Sequence, residues 1–227
     1  MKRTSQSSYS IERKNFFMIL INKDTKLYCS FAKVAGSKGC AYHNSNFQKL
    51  GCNAIYKSFS INNIEEALAS MKTLNIMGAG ITMPYKVEAL KYVDKITEET
   101  KHIGATNTIL NKGGILEAHN TDWLAARDLL VEYPQYDSLW ILGSGGYARA
   151  VEYACSILGI KVQKITRDTW ENISSLHNCL VFNCTPVASI TDLLCDSITY
   201  IDCITSTESG KKLSETQAAY QAKLYND

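Results

Sequence analysis

The sequence predicts an α/β protein of two lobes, and two observations lead to this prediction. Apolar runs alternate with amphipathic stretches between residues 53 and 96, as they do where helices pack on a sheet with a parallel core. A second series of such segments begins at residue 139, after a polar, proline-containing break at 130–138. A chain of 227 residues is long enough to form two lobes that each bury a core.

The first lobe is predicted to follow the order β, α, β, α, β, α. Asn63 is a good N-cap candidate for the second helix, because apolar residues follow it at helical spacing. An additional β-rich run precedes the first strand across a polar turn. Strands are therefore expected at 16–21, 26–35, 53–61 and 76–83, and helices at 43–50, 63–74 and 85–96.

The second lobe is predicted to open with a strand, a glycine turn and a helix. The strand LWIL is followed by Gly143-Ser144-Gly145-Gly146 and by a helix-forming run with small residues. Backbone N–H groups at such a helix start can bind a dinucleotide pyrophosphate, which side chains in the turn would block. Further strands are expected at 161–166, 179–185 and 198–205, and a last helix at 213–226. The lobes are expected to join near residues 123–138.

The strand after the glycine turn ends at Arg167 and Asp168. An NAD-binding lobe of this kind usually carries an acidic residue at this strand end, whereas an arginine suits the 2′-phosphate of NADP. The alternative is an ordinary surface arginine. We therefore expect NADP rather than NAD.

Composition argues against several other classes of protein. The hydrophobic share of 45%, the charged share of 20% and the net charge of +2 describe a globular protein without a basic face for nucleic acid. The eight cysteines form no C-x-x-C pair and lie at no metal-ligand spacing, so we expect no metal and a reducing cytoplasm. The N-terminal apolar run is too short to span a membrane.

Lys86 and Asp122 stand out as a candidate acid–base pair. Pro84 keeps Met83 out of the helical region, which predicts that a helix begins at Tyr85 and holds Lys86 in its first turn. The helix dipole would then lower the pKa of Lys86, and Asp122 would oppose this shift. Such a pair can exchange a proton with an alcohol or ketone while a nicotinamide supplies hydride. Asn107, in a second polar turn, completes the site, although either turn alone would be structural.

These motifs resemble those of the shikimate dehydrogenases, which belong to the shikimate and quinate dehydrogenase family. GAGITMPYK (78–86) matches the family pattern G-x-N-V-T-x-P-x-K, GATNT (104–108) matches G-A-x-N-T, and NTDW (120–123) matches N-T-D-G. The glycine turn, TRD (166–168), NCTP (183–186) and Gly210 with Gln217-Ala218 match the later patterns in the same order.

The resemblance implies a substrate-binding lobe over residues 1–122, to which the C-terminal helix at 210–227 returns, and a shortened Rossmann-like NADP-binding lobe over 123–209. It implies reversible NADPH-dependent reduction of 3-dehydroshikimate to shikimate in aromatic amino-acid biosynthesis, with Lys86 as the acid–base group and Asp122 as its partner. The implied substrate-binding residues are Ser37, Thr82, Asn107 and Gln217. The implied cofactor-binding residues are Glu98, Gly143, Ser144, Gly145, Gly146, Tyr147, Thr166, Arg167, Asp168 and Gly210.

The sequence also departs from the family patterns. Gly39 replaces a serine, Cys40 a proline and Gly80 an asparagine, Thr205 stands where the family has a tyrosine, and the second lobe is short. The alternatives are therefore an impaired or non-catalytic binding protein, or a dehydrogenase of a related cyclic hydroxy acid such as quinate. A methylene-tetrahydrofolate dehydrogenase-like enzyme is disfavoured by the NTD and GATNT turns. We expect a small-molecule substrate, no nucleic acid or membrane partner, and a monomer or homodimer.

Overall fold

The protein folds around two β-sheets, and the computed structural model describes residues 21–226. The first part of the chain contains β1 (Lys26–Ala32), α1 (Lys38–Lys49), β2 (Ala54–Ser60), α2 (Ile64–Thr73), β3 (Gly78–Ile81), β4 (Lys95–Ile96), α3 (Glu98–Ile103), β5 (Thr108–Lys112) and β6 (Ile115–His119). The second part contains α4 (Asp122–Leu130), β7 (Ser138–Leu142), α5 (Gly146–Leu158), β8 (Lys161–Ile165), β9 (Leu180–Asn183), β10 (Thr199–Asp202) and α6 (Glu208–Asn226). The α/β class predicted from the sequence is confirmed.

The two sheets differ in strand direction. The first has the order β2-β1-β3-β5-β6-β4; β1 pairs in parallel with β2 and β3, whereas β5 is antiparallel to both β3 and β6. The second has the order β10-β9-β7-β8 and is parallel throughout. The predicted parallel core is thus present, and an antiparallel hairpin extends it in the first sheet.

Helix α2 forms as the sequence predicts. The side chain of Asn63 accepts a hydrogen bond from the backbone N–H of Glu66, which caps the helix. The apolar residues on one face are buried in the core of the first sheet. Local capping and periodic burial therefore agree here, which is why the prediction was accurate.

The α-helix predicted at 85–96 is wrong. A turn and a 3-10 helix at Glu88–Tyr92 occupy this segment, and its end forms strand β4 beside β6. Contacts with distant residues explain the difference: the Lys86 carbonyl accepts the N–H of Thr106 at 2.7 Å, and the Asp94 carboxylate accepts that of Leu116 at 2.7 Å. Because no α-helix begins at Tyr85, the expected helix-dipole effect on Lys86 has no basis.

Helix α3, the β5–β6 hairpin and helix α4 were also not predicted, and α4 occupies part of the expected connection at 123–138. The hairpin turns through Gly113 and Gly114, both with positive φ, as a two-residue turn requires. The additional strand expected at 16–21 lies outside the described residues, except for Ile21.

The C-terminal helix α6 packs on both halves of the molecule. Near its start Leu213 belongs to the core around α4, α5 and the second sheet, and Lys212 pairs with Glu132 of the segment after α4. Near its end Tyr225 belongs to an aromatic cluster with Tyr28, on β1. The helix therefore joins the two halves, while the lobe boundaries themselves stay a prediction.

Within residues 21–226, the structure contains no helix with the length and apolar character needed to cross a membrane.

Gly210 should be required for stability because α6 begins in close contact with the preceding backbone. A Cβ at this position would overlap the carbonyl group of Ile204. We expect Gly210→Ala to lower the free energy of unfolding by about 1–3 kcal/mol or more, as overpacking does. Denaturant titration followed by circular dichroism measures this change. Gly36→Ala is the control, since a Cβ there meets nothing within 4 Å; an equal loss in both variants would refute the explanation.

Candidate functional site

Lys86 and Asp122 form an ion pair at the junction of the two halves. Lys86 lies in the turn after β3, and Asp122 is the first residue of α4. The Nζ atom of Lys86 lies 2.5 Å from Oδ2 of Asp122, and the side chains are 17% and 4% exposed. The start of a helix favours a carboxylate at the position of Asp122. The structure thus brings together the two residues that the sequence analysis paired.

Asn107 fixes the other oxygen of this carboxylate. Its Nδ2 group lies 2.9 Å from Oδ1 of Asp122, 2.8 Å from Oγ1 of Thr121 and 3.1 Å from Oε1 of Gln217. Its Oδ1 atom accepts the backbone N–H of Thr121 at 2.8 Å. Asn107 and Gln217 therefore lie at the ion pair, in a network that fixes the carboxylate before any ligand binds.

Asn120 and Gln221 support this network and were missed as site residues. Asn120 accepts the backbone N–H of Asp122 at 2.9 Å and donates to the carbonyl of Ala105 at 2.8 Å. Its place in the NTD motif was the available signal. Gln221 donates to Oγ1 of Thr108 at 2.9 Å, and no motif marked it.

Gln221 also connects α6 to a buried histidine. Its Oε1 atom lies 2.9 Å from Nε2 of His43, so this ring nitrogen carries the proton and donates it. Burial lowers the pKa of His43 to about 4, which keeps the imidazole neutral. The ring stacks on Tyr56 with centroids 4.5 Å apart. The neutral histidine therefore serves as a packing and hydrogen-bonding group on the first sheet.

Tyr56 occupies space beside a position where the sequence departs from the family pattern. A Cβ at Gly80 would lie 2.7 Å from the Tyr56 hydroxyl oxygen and 3.3 Å from Nε2 of Gln221. A side chain such as asparagine therefore does not fit at Gly80 in this structure. Cys40 also departs from the family pattern, and its Sγ atom lies 3.1 Å from the hydroxyl oxygen of Ser58.

The remaining residues predicted to bind substrate lie near the ends of β1 and β3. Ser37 is the N-cap of α1 and makes no side-chain capping bond, and Thr82 is exposed just after β3. Lys38 donates to the Thr205 carbonyl at 2.9 Å and so bridges the first helix and the segment after β10.

The glycine turn contacts Lys86 directly. Gly143 has φ +107°, and Gly146 begins α5 at the carboxyl end of β7. A Cβ at Gly146 would lie 3.0 Å from Cβ of Lys86, and the Nζ atom of Lys86 lies 5.4 Å from the ring centre of Tyr147. Ser144 and Gly145 are exposed, and a Cβ at Gly145 would meet nothing within 4 Å. This helix start therefore has open space for a phosphate group.

The other residues predicted to bind the cofactor lie on separate elements, after β8, in α3 and in α6. Thr166 follows β8 and caps the 3-10 helix Arg167–Ser175. Arg167 and Asp168 are exposed at the start of this helix. Strand β8 is the neighbour of β7, the strand that leads into the glycine turn. Glu98 begins α3, where its carbonyl contacts the His102 ring. Gly210 packs against the backbone at Ile204. No group of three or more potential metal ligands occurs in the part of the chain that is described.

The comparisons with known proteins point to one family. A model of the shikimate dehydrogenase substrate-binding domain matches residues 32–109. The shikimate dehydrogenase (NADP(+)) of Pyrococcus furiosus is 38% identical over 141 residues, which are 60% of this chain and 52% of that protein. The shikimate dehydrogenase-like protein of Haemophilus influenzae is 36% identical over 148 residues, which are 64% of this chain and 55% of that protein.

Solved structures agree with these matches. The shikimate 5-dehydrogenase-like protein HI0607 superimposes with a TM-score of 0.77 at 27% identity, covering 91% of this chain and 93% of that one. In sequence, the chain spans about half the length of the curated relatives it matches. The resemblance to shikimate dehydrogenases and the predicted Rossmann-like fold of the second part are confirmed.

Gly146 should be needed where the glycine turn meets Lys86. A Cβ there would press on the Cβ atoms of Lys86 and Ala105 at 3.0 and 3.2 Å, and these atoms can yield only if the backbone moves. We expect Gly146→Ala to lower the free energy of unfolding by about 1–3 kcal/mol. Gly36→Ala, at an exposed position where a Cβ meets nothing within 4 Å, should change it by less than about 0.5 kcal/mol. Thermal unfolding compares the two, and an equal stability of both variants would contradict the close contact.

Proposed function

We propose that this chain, a shortened relative of the shikimate dehydrogenases, is an NADP-dependent oxidoreductase that interconverts 3-dehydroshikimate and shikimate. The observation that carries the proposal is the Lys86–Asp122 pair, which lies against the glycine turn of a parallel sheet. In this arrangement Lys86 would carry the proton beside a turn that would bind the dinucleotide. The name of the Pyrococcus furiosus relative, shikimate dehydrogenase (NADP(+)), supports the same substrate and cofactor.

Lys86 would act as the proton carrier. In the direction of reduction, its ammonium group donates a proton to the oxygen of the substrate carbonyl as that oxygen becomes a hydroxyl. In the reverse direction, the neutral amine removes this proton. Asp122 keeps the Nζ atom in place through the 2.5 Å contact. NADPH, when bound, supplies the hydride.

Ser37, Thr82, Asn107 and Gln217 would hold the hydroxylated ring and its carboxylate. Their hydroxyl and carboxamide groups are suited to a polyhydroxylated ring, because each can donate or accept a hydrogen bond. The Asn107 carboxamide already donates to Asp122, and the Gln217 carboxamide oxygen accepts from Asn107. A substrate hydroxyl near Lys86 would therefore meet an ordered set of polar groups.

The glycine turn and the end of β8 would hold NADP. The turn lies at the start of a helix, Gly145 and Gly146 have no side chains, and the turn contains no acidic residue. These properties suit a pyrophosphate group. Arg167 is exposed at the end of the adjacent strand, where it would pair with the 2′-phosphate. Thr166, Asp168 and Glu98 remain proposed contacts of the cofactor.

We also propose the two-lobe division, with residues 1–122 and 210–227 binding substrate and 123–209 binding NADP. A cytoplasmic location is supported by the eight cysteines, all of which are free. The monomer or homodimer expected from the sequence stays a prediction.

A related cyclic hydroxy acid, such as quinate, is the second candidate substrate. The observation that favours it is the altered substrate side, where the Tyr56 hydroxyl fills the space beside Gly80. Absorbance of the nicotinamide band with shikimate and with quinate distinguishes the two. NADP binding without turnover of either acid would identify a non-catalytic binding protein instead.

Lys86→Ala should reduce turnover of shikimate by about 10²–10⁴-fold, the usual contribution of a positioned acid–base group. Affinity for NADPH, measured by fluorescence titration, should change little because the cofactor's phosphates bind at the glycine turn. Lys57→Ala is a matched control, since the Nζ atom of Lys57 lies at a similar 5.4 Å from an aromatic ring but its side chain is exposed. Wild-type turnover in Lys86→Ala would exclude the proposed role.

Arg167→Ala should weaken NADP(H) binding by about ten-fold or more, because it removes a charge-assisted contact worth about 1.5–3 kcal/mol. Affinity for NAD(H) should change far less. Lys164→Ala, on the preceding strand β8 and paired with Glu152, controls for general loss of positive charge. Isothermal titration with both dinucleotides gives the comparison, and equal losses for the two would contradict the assignment of Arg167.

A further inference from the structure

The hydroxyl group of Tyr147 is buried without a hydrogen-bond partner among the described residues. Tyr147 follows the glycine turn on α5, and its ring is partly buried between Lys86 and Phe182. Polar groups of folded proteins are seldom left in this state, because they lose their water contacts and receive nothing in return. The residue therefore needs an explanation other than packing.

The ring accounts for the packing by itself. The Lys86 Nζ atom lies 5.4 Å from the centre of the Tyr147 ring, within the range of a cation–π contact, and the Phe182 ring lies 6.3 Å away. A phenylalanine would make both contacts equally well. The hydroxyl adds nothing to these two contacts, so they do not account for it.

The surroundings of the hydroxyl point to the reacting end of the proposed site. Burial, together with the nearby Asp122 carboxylate and the thiols of Cys184 and Cys203, raises the pKa of Tyr147 well above its usual value, so the group stays a neutral donor. The two cysteines directly follow β9 and β10. Ligands of open parallel sheets bind at such carboxyl ends, and the Lys86–Asp122 pair lies beside them.

We propose that the Tyr147 hydroxyl forms a hydrogen bond with the carboxamide group of the nicotinamide ring. The inference rests on the proposed function and adds to it a residue that orients the ring next to Lys86. A carboxamide suits this place because it offers both a donor and an acceptor to a hydroxyl that can rotate to either. The unpartnered hydroxyl is thus kept for the bound dinucleotide.

Tyr147→Phe tests the proposal through stability without any ligand. Removing a buried group that lacks a partner should raise the melting temperature, by about 2–4 °C for a chain of this size. Tyr136→Phe is the matched control in the same half of the molecule, because the Tyr136 hydroxyl lies 2.6 Å from that of Thr199. That variant should melt at a lower temperature. A Tyr147→Phe protein that also melts lower would show that the hydroxyl is already satisfied, and would overturn the proposal.

Ligand binding supplies the second, independent test. Tyr147→Phe should bind NADPH about 2- to 10-fold more weakly, as expected for the loss of one hydrogen bond. Its affinity for adenosine 2′,5′-bisphosphate, which has no nicotinamide, should be unchanged. Equal NADPH affinity of the variant and the wild type would overturn the role of Tyr147 and leave the proposed function standing. Absence of NADPH binding in the wild type would overturn both.

Discussion

The buried carboxylate of Asp122 is the group on which the arrangement of the site depends. A charge that is only 4% exposed is costly unless it is paired and hydrogen-bonded, and removing one partner of such a pair typically costs about 3–5 kcal/mol. Lys86 and Asn107 each satisfy one of its oxygens. Because these residues come from the turn after β3 and from the position just before β5, the requirement of one carboxylate ties the first sheet to helix α4.

This requirement extends to the C-terminal helix. Gln217 contacts the same Asn107 amide group, and Gln221, one turn further along α6, bonds to Thr108 and His43. Helix α6 therefore reaches the site from the far end of the chain through two carboxamides. Its Leu213 end packs with the second sheet, so the helix also connects the ion pair to the half that carries the glycine turn. Its side chains are thus already ordered by contacts within the protein, which would favour the proposed catalysis because little ordering remains to be done.

The sequence was sufficient for those parts of the structure that depend on local chemistry or on motif order. Helix α2, with its Asn63 cap, and the glycine turn followed by α5 form as predicted, because periodicity and capping act within a few residues. The β5–β6 hairpin was missed, although Gly113-Gly114 between two β-rich runs is a strong local signal for such a turn. The segment after Lys86 is a different case. Its helical pattern is overridden by β4–β6 pairing, which no local signal reveals.

The surroundings of Gly80 show where matching of motifs stops being informative. The lysine pattern predicted the Lys86–Asp122 contact, but the exchange of asparagine for Gly80 is understood only once Tyr56 is seen beside it. Tyr56 stacks on a neutral His43, which is in turn held by Gln221, so the phenol cannot move without disturbing the buried network. Glycine at position 80 and tyrosine at position 56 therefore act as one unit. This unit sets the shape of the space at Gly80 on β3, while Asn107 holds the Lys86–Asp122 pair through the other oxygen of the Asp122 carboxylate.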